Sequence, residues 1–296
     1  TYFESHDEQR LMYKNISWGN SYGGYNIKEI PTALNRMKAI GAFFFTIPGP
    51  KMIWQFGELG YDISIDDPCR VCEKPMRWNY FEDEERRNLY KTYQALIALR
   101  KQFPVFHSAE TDVQLNVGSS SGEKLIRLSH SEMNAVIVGN YGVTYQSIDP
   151  LFHHSGMWYD YFSGDSIDVQ NVNDQLGLFP GEFHIYTDSF IESPEQGILA
   201  NVSDGNSVLS EFALYQNYPN PFNPTTTIRF HIADAYSSQL QIFDILGRLV
   251  DTLIDGKILP GEYLFTWDGS RYPSGVYFSI LTSGGKAYSS KMILLK

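Results

Sequence analysis

The amino-acid sequence predicts a mixed fold, with an α/β segment followed by two all-β segments. Apolar residues recur at helical spacing between Ile30 and Phe44, and a short apolar run typical of a buried strand follows at Met52–Phe56. After residue 104 the period changes, and short apolar runs alternate with turn-forming clusters. A chain of 296 residues has room for two or three domains of about 100–150 residues each.

The composition narrows the class of protein. The chain is 43% hydrophobic, 15% aromatic and 19% charged, which excludes a disordered polar chain. The net charge is −11 and the isoelectric point is near 5.1, so we expect no nucleic-acid partner, because nucleic-acid-binding domains are usually basic. No stretch approaches the ~20 consecutive apolar residues of a membrane helix, so we predict no transmembrane segment.

Residues 1–104 have the pattern of two βα units. The segment Thr1–Glu4 is predicted to be extended, the helix over 30–44 ends before Pro48, and Met52–Phe56 is predicted to be a strand. A second helix begins near Asp83, where acidic residues favour a helix N-terminus, and stops at Pro104. Helices that alternate with buried strands indicate a parallel sheet, but two units cannot close one.

The remaining residues divide into three segments. Residues 105–192 are predicted to form a β-sandwich, with strands at 124–128, 135–138 and 183–186. Residues 193–210 are polar and rich in turn-forming residues, which is typical of a linker. Residues 211–296 are predicted to form a second all-β unit, whose strands include 227–232 and 276–281.

Three short blocks of the first segment resemble the α-amylase family (glycoside hydrolase family 13). Phe3-Glu-Ser-His-Asp7 resembles the block at the end of the seventh barrel strand, and Pro48–Glu58 resembles the eighth strand. Pro75-Met-Arg-Trp78 resembles the segment that follows that strand. Taken alone, Asp7 could equally be a catalytic residue or a structural one, in a loop or at a helix N-cap. The order and spacing of the three blocks, however, are specific to the family.

The resemblance implies that residues 1–104 are the last two βα units of a (β/α)8 TIM barrel and that 105–192 are the β-sandwich behind it. It further implies retaining chemistry on α-1,4-glucans, with α-glucan polysaccharide as the partner. Asp7 aligns with a catalytic carboxylate that stabilises the transition state, and His6 aligns with a residue that binds the sugar hydroxyls. The nucleophile and the general acid/base are expected on earlier strands, so we predict that this chain alone does not cleave glycosidic bonds.

Several alternatives remain open for the function of the chain. Ser5–Glu8 is closer to the block of glucan branching enzymes, and a non-catalytic, secreted glucan-binding protein is a third interpretation. Glu58 is interpreted as a structural ion pair rather than a substrate ligand, and Trp158 and Tyr161 are weaker candidates for direct glucan contact. No cofactor is predicted in this segment, and calcium is considered only for the full-length enzyme.

The chain has two cysteines, Cys69 and Cys72, which lie in a loop between Pro68 and Pro75. A redox pair should open a helix, and zinc would need two further ligands that are not nearby in the sequence. We therefore expect a local disulfide, with free thiols as the alternative, and we predict no metal site. The pair His153-His154 is interpreted as part of a solvent-facing loop.

The C-terminal segment has its own family resemblance. Motifs at Leu214–Thr225, Phe243–Arg248, Tyr272–Phe278 and Lys291–Lys296 occur in the order found in type A C-terminal sorting domains of the type IX secretion system. The resemblance covers 211–296 and implies an immunoglobulin-like β-sandwich that engages the type IX secretion machinery. It also implies a signal peptide upstream and a product that is secreted or attached to the cell surface through the outer membrane.

Overall fold

The computed structural model describes residues 1–22, 25–117, 122–195, 197–199, 213–217, 219–232, 237–258 and 261–296. Most of the linker predicted at 193–210 lies outside these described residues, because 196 and 200–212 are among the gaps. Within the described parts, none of the helices has both the length and the apolar character required to span a membrane.

Three α-helices lie in the N-terminal segment. They are α1 (Leu11–Trp18), α2 (Ile30–Thr46) and α3 (Glu84–Gln102). The helices predicted from Ile30 and from Asp83 are confirmed, and the Asp83 carboxylate caps α3 by accepting a 3.0 Å hydrogen bond from the Arg86 amide. Helices α2 and α3 pack closely at Gly41, which has no side chain: a Cβ at this position would lie only 2.6 Å from the Tyr93 ring.

The strands predicted at Thr1–Glu4 and Met52–Phe56 are wrong. Neither segment is a strand in the structure. A single main-chain hydrogen bond joins them, from the Met52 amide to the Thr1 carbonyl (3.1 Å), and the N-terminus donates to the carbonyl of Pro50, just before the second segment (2.8 Å). A strand is defined by a continuous ladder of such bonds, and the described residues place no further strand beside either segment. Among the described residues of this region, the one ladder joins β1 (Ser21–Tyr22) to β2 (Tyr25–Asn26).

A six-stranded antiparallel sheet forms the centre of the molecule, in the order β3-β4-β5-β10-β7-β8. Its strands are β3 (Asp112–Asn116), β4 (Glu123–Ser129), β5 (Asn134–Asn140), β7 (Gly156–Asp160), β8 (Ser166–Val169) and β10 (Phe183–Thr187). Two more strands, β6 (Gln146–Ile148) and β9 (Leu176–Leu178), pair with each other outside this sheet. The predicted strands at 124–128, 135–138 and 183–186 are confirmed.

Both faces of the central sheet are buried. Ala135 and Ile137 of β5 pack in the same hydrophobic cluster as α2 and α3, whereas Val136 and Val138 pack in a second cluster with Leu176 and Leu178 of β9. This explains why β5 is apolar along most of its length instead of alternating with polar residues.

The C-terminal strands form two further layers. A three-stranded sheet has the order β11-β12-β15, and a second sheet has the order β17-β16-β13-β14-β9-β6. The strands are β11 (Ala213–Leu214), β12 (Thr225–Ile232), β13 (Ser237–Asp244), β14 (Leu249–Lys257), β15 (Gly261–Asp268), β16 (Gly275–Ser283) and β17 (Lys286–Leu294). Buried residues alternate along β12, β13 and β16, as expected for strands that cover one core.

Replacement of Leu34 tests the packing of α2. The Leu34 side chain is fully buried, so Leu34→Ala should lower the free energy of unfolding by about 2–5 kcal/mol through lost burial and a cavity. Ile30→Ala on the same helix is the matched control, because Ile30 is 46% exposed and should change stability by no more than about 0.5 kcal/mol. Denaturant titration of both variants gives the values, and equal losses would contradict this packing.

Candidate functional site

The segment that carries His6 and Asp7 is held at both ends by a buried ion pair. Glu4 and Arg10 are almost fully buried, with 3.6 Å between Glu4 Oε1 and Arg10 Nη1. The other oxygen of Glu4 accepts a 3.0 Å hydrogen bond from the Leu11 amide at the start of α1. Burial raises the pKa of Glu4, and the Leu11 amide and the charge of Arg10 act in the opposite direction.

Arg10 is enclosed by aromatic rings as well as by its charged partner. Its guanidinium lies 3.4 Å from the centre of the Trp54 ring and 4.6 Å from that of Tyr61, and Nη1 donates a 3.0 Å hydrogen bond to the Gln55 carbonyl. Burial lowers the pKa of Arg10, while Glu4 and more weakly Glu58 favour its charged form. These contacts connect residues 4–10 to the Pro48–Glu58 segment through one side chain.

His6 and Asp7 themselves lie on the surface above this pair. Their side chains are 79% and 78% exposed, and His6 Nε2 lies 3.3 Å from Asp7 Oδ2. The Asp7 amide donates a 3.2 Å hydrogen bond to the hydroxyl of buried Ser5. The structure thus brings the two predicted residues together on a fixed main chain, and their exposed side chains can form hydrogen bonds with a ligand.

The cysteine loop lies against the same segment. Cys69 and Cys72 form a disulfide, which is the first of the two alternatives considered for them. Arg70, between them, donates a hydrogen bond to the Asp7 carbonyl and lies 3.6 Å from the Asp66 carboxylate. The buried Lys74 ammonium donates to the Asp67 carbonyl (3.1 Å) and the Cys69 carbonyl (2.7 Å), so its charge organises the loop from inside.

Sequence reasoning gave Trp78 no role of its own, although it was part of a quoted block. Its side chain is 71% exposed, and its ring packs edge-on against Phe56 at 5.0 Å between centroids. Phe56 stacks in turn on Tyr61, which contacts Arg10. An exposed indole is a flat apolar surface of the kind that stacks on sugar rings. Trp78 could have been identified from the sequence as an aromatic residue close to the predicted site.

Three interpretations made from the sequence need correction. Trp158 is fully buried and donates through Nε1 to the His154 carbonyl (3.1 Å), so it has no surface for a glucan. Tyr161 is also buried, and its hydroxyl donates to the Ala95 carbonyl (3.2 Å). Of the pair His153-His154, His154 is exposed as predicted, whereas His153 is half-buried and stacked on Trp158, and burial lowers its pKa to about 4.

A second charged cluster lies in the central sheet. His184 contacts the Asp160 carboxylate through Nδ1 (3.1 Å) and the Glu182 carboxylate through Nε2 (3.0 Å). Burial works against the charged imidazolium, but the two carboxylates outweigh it and raise the pKa of His184 to about 10. Since Asp160 also accepts from Ser163 and from the Ile185 amide, this cluster is saturated and acts as a structural brace.

The chemistry available at the exposed site is hydrogen bonding and charge stabilisation. Asp7 offers a carboxylate and His6 a ring nitrogen. Both side chains are exposed to solvent, and the main chain that carries them is held by the buried Glu4–Arg10 pair. Within the described ranges, no group of three or more histidine, cysteine or acidic side chains has the geometry of a metal site.

Removal of Arg10 should destabilise the chain in a pH-dependent way. Arg10→Met leaves Glu4 buried without its ion-pair partner, which we expect to lower the free energy of unfolding by about 3–5 kcal/mol at pH 7. The pKa of Glu4 in the folded variant then lies further above its usual 4.5, so the folded chain binds the proton more tightly than the unfolded chain. Stability of the variant should therefore increase as the pH falls from 7 toward 5.

Denaturant titrations at pH 5 and pH 7 measure this difference. Glu4→Gln/Arg10→Met is the control, because with no carboxyl at position 4 its loss should be smaller and nearly independent of pH. A loss in Arg10→Met that is the same at both pH values would contradict the assigned role of Glu4.

Comparison with protein families gives one match. Residues 216–295 match the model of the secretion system C-terminal sorting domain. The sorting domain indicates export by the type IX secretion system, so the protein is secreted or attached to the cell surface. A comparison with curated proteins found no match.

Solved structures similar to this chain are enzymes of the α-amylase family. A variant of AmyP in complex with maltotriose has 15% sequence identity and a TM-score of 0.50, and the match covers 66% of this chain and 41% of that one. An α-amylase from Geobacillus thermoleovorans complexed with acarbose has 17% identity and a TM-score of 0.49, covering 63% of this chain and 38% of that one. The chain thus spans about two fifths of their length, and the likeness to AmyP is one of fold.

Proposed function

We propose that this chain is the C-terminal part of a secreted enzyme that acts on α-1,4-glucans by a retaining mechanism. The observation that carries the proposal is the exposed His6–Asp7 pair, which is fixed from below by buried Glu4 and Arg10 in a chain whose fold resembles AmyP. The AmyP variant was solved in complex with maltotriose, which supports a glucan as the substrate class.

In this proposal Asp7 is the carboxylate that stabilises the transition state. A retaining glycosidase passes through an oxocarbenium-like transition state and uses two further carboxyl groups, a nucleophile and a general acid/base. A carboxylate that hydrogen-bonds the distorted sugar contributes most when its contacts strengthen in the transition state. His6 would bind hydroxyls of the same ring, and Trp78 offers an exposed face for stacking.

The domain organisation belongs to the same proposal. Residues 1–104 would be the final part of a (β/α)8 barrel, 105–192 the β-domain behind it, and 211–296 an immunoglobulin-like sorting domain. The segments Thr1–Glu4 and Met52–Phe56 then take strand form only beside the rest of a barrel, which agrees with their single main-chain contact here. The nucleophile and the acid/base would come from that remaining part.

Substitution of Asp7 tests its role in glucan binding. Because Asp7 is exposed, Asp7→Asn should leave the fold intact and weaken binding to soluble starch by about tenfold, the typical effect of losing hydrogen bonds to a charged group. Affinity electrophoresis in starch-containing gels measures the binding. Asp168→Asn is the control, since Asp168 is an exposed carboxylate on β8 that hydrogen-bonds only to Gln170 among the described residues. Equal retardation of the wild type and Asp7→Asn would contradict the assignment.

Branching activity is the second candidate, because Ser5–Glu8 has the sequence Ser-His-Asp-Glu. The whole enzyme would then transfer glucan segments instead of releasing them to water. A branching enzyme should abolish iodine staining of amylose without creating reducing ends, whereas a hydrolase should create reducing ends in proportion. Assay of the longest native form of the protein, identified with an antibody against residues 105–192, distinguishes the two. We expect no reducing sugar from the 296-residue chain alone.

A further inference from the structure

The C-terminal strands are not separate from the central part of the chain. Strand β9 pairs in parallel with β14 at Leu176 and Lys257, so the sheet β17-β16-β13-β14 continues into β9 and β6. An uncovered β14 would offer a row of unpaired amides and carbonyls to other chains. In this structure β9, which is itself paired with β6, covers the C-terminal end of that edge.

Aromatic side chains reinforce the contact. Phe179, directly after β9, stacks on Tyr263 with 4.7 Å between ring centroids and an interplanar angle of 28°. Its ring also lies 6.3 Å from both Phe230 and Phe265, which lie in β12 and β15 of the facing sheet. Tyr145 contacts Phe179 edge-on at 5.5 Å. We call these five residues the aromatic junction. Phe230 is fully buried and the other four are half-buried, so their ring contacts give the contact an apolar centre.

The position of Phe179 is set from the central sheet, independently of the C-terminal strands. The Phe179 amide donates a 2.6 Å hydrogen bond to Glu182, and Glu182 is fixed by the charged His184, which is itself held by Asp160. Gly177 leaves room for Tyr145, whose hydroxyl occupies the space that a Cβ at position 177 would need. Contacts within the central part of the chain therefore already fix Phe179 and leave space for Tyr145, which reduces the conformational entropy lost when another surface docks there.

Polar residues surround this apolar centre. A cleft at the same junction is lined by Ser147, Asp174 and Gln175 on one side and by Asp255 and Lys257 on the other. An apolar centre with a polar rim is the arrangement found in specific protein interfaces.

We propose that the surface formed by Tyr145, Leu176 and Phe179 is a docking site for the sorting domain of the same chain, which matches its family over residues 216–295, with Phe179 as its anchor. The occupant is identified by the β9–β14 pairing and by the stacking on Tyr263. The docked sorting domain has the end of its β14 edge closed, and β17 is the outer strand at the opposite side of that sheet. This inference does not depend on the glucan-active function.

The test uses the full chain with a protease recognition sequence inserted between Asp204 and Gly205. After cleavage under native conditions, the two parts should remain together in sedimentation velocity and size-exclusion experiments at micromolar concentration. Phe179→Ala should raise the dissociation constant of the cut chain by about tenfold or more, because burying an aromatic side chain contributes more than the free energy of one factor of ten. Phe190→Ala is the matched control: Phe190 is 66% exposed and packs on Tyr159 instead.

Separation of the cut wild-type chain into two independent species would overturn the proposal, as would an unchanged dissociation constant in Phe179→Ala. If that variant does not fold, hydrogen exchange of the cut wild-type chain decides the question. Amides of β14 should exchange at least about tenfold more slowly in the complex than in the separated C-terminal part, and equal rates would refute docking.

Discussion

The central sheet is covered on both faces, and this constraint organises the rest of the molecule. β5 presents Ile137 to the helices and Val138 to the opposite layer, and both side chains are fully buried. A strand of this kind is stable only when each face has a partner layer. The N-terminal helices supply one layer, and the antiparallel pair of β6 and β9 begins the other. Because the same strand pair continues into the sheet of the C-terminal strands, all three parts of the chain depend on it.

The candidate site follows a different principle, in which buried charges hold an exposed pair in place. Glu4 and Arg10 are removed from water, where each would be costly alone, and they compensate each other together with the Leu11 amide and the Gln55 carbonyl. Such a pair contributes geometry more than stability. It fixes both ends of a seven-residue segment, so that Asp7 is oriented by the main chain while its carboxylate remains hydrated and available.

The sequence predicted α2, α3 and three of the six strands of the central sheet (β4, β5 and β10) correctly, because their signals are local. The spacing of apolar residues from Ile30 and the Asp83 cap needed no tertiary information. Thr1–Glu4 and Met52–Phe56 failed for a physical reason: an apolar extended segment becomes a strand only when neighbours complete its ladder, and sequence does not show whether they are present. Trp158 failed for a related reason, since an aromatic residue in a strand has the same signature whether it faces solvent or the core.

The exposed residues of the candidate site could be predicted from the sequence, but the residues that hold them in place could not. His6 and Asp7 were identified by their block, whereas Arg10 and Arg70, which hold that block, belong to no recognised pattern. Their importance comes from burial and from contacts 45 and 63 residues apart in the chain.

The disulfide and the export route are consistent with one another. A sorting domain of the type IX system places the chain outside the cell, where disulfides persist. The Cys69–Cys72 bridge closes the loop that carries Arg70, and Arg70 contacts the carbonyl of Asp7. A cross-link limits the conformations of the loop around Arg70, so the compartment that the C-terminal domain selects also preserves the support of the surface that carries Asp7.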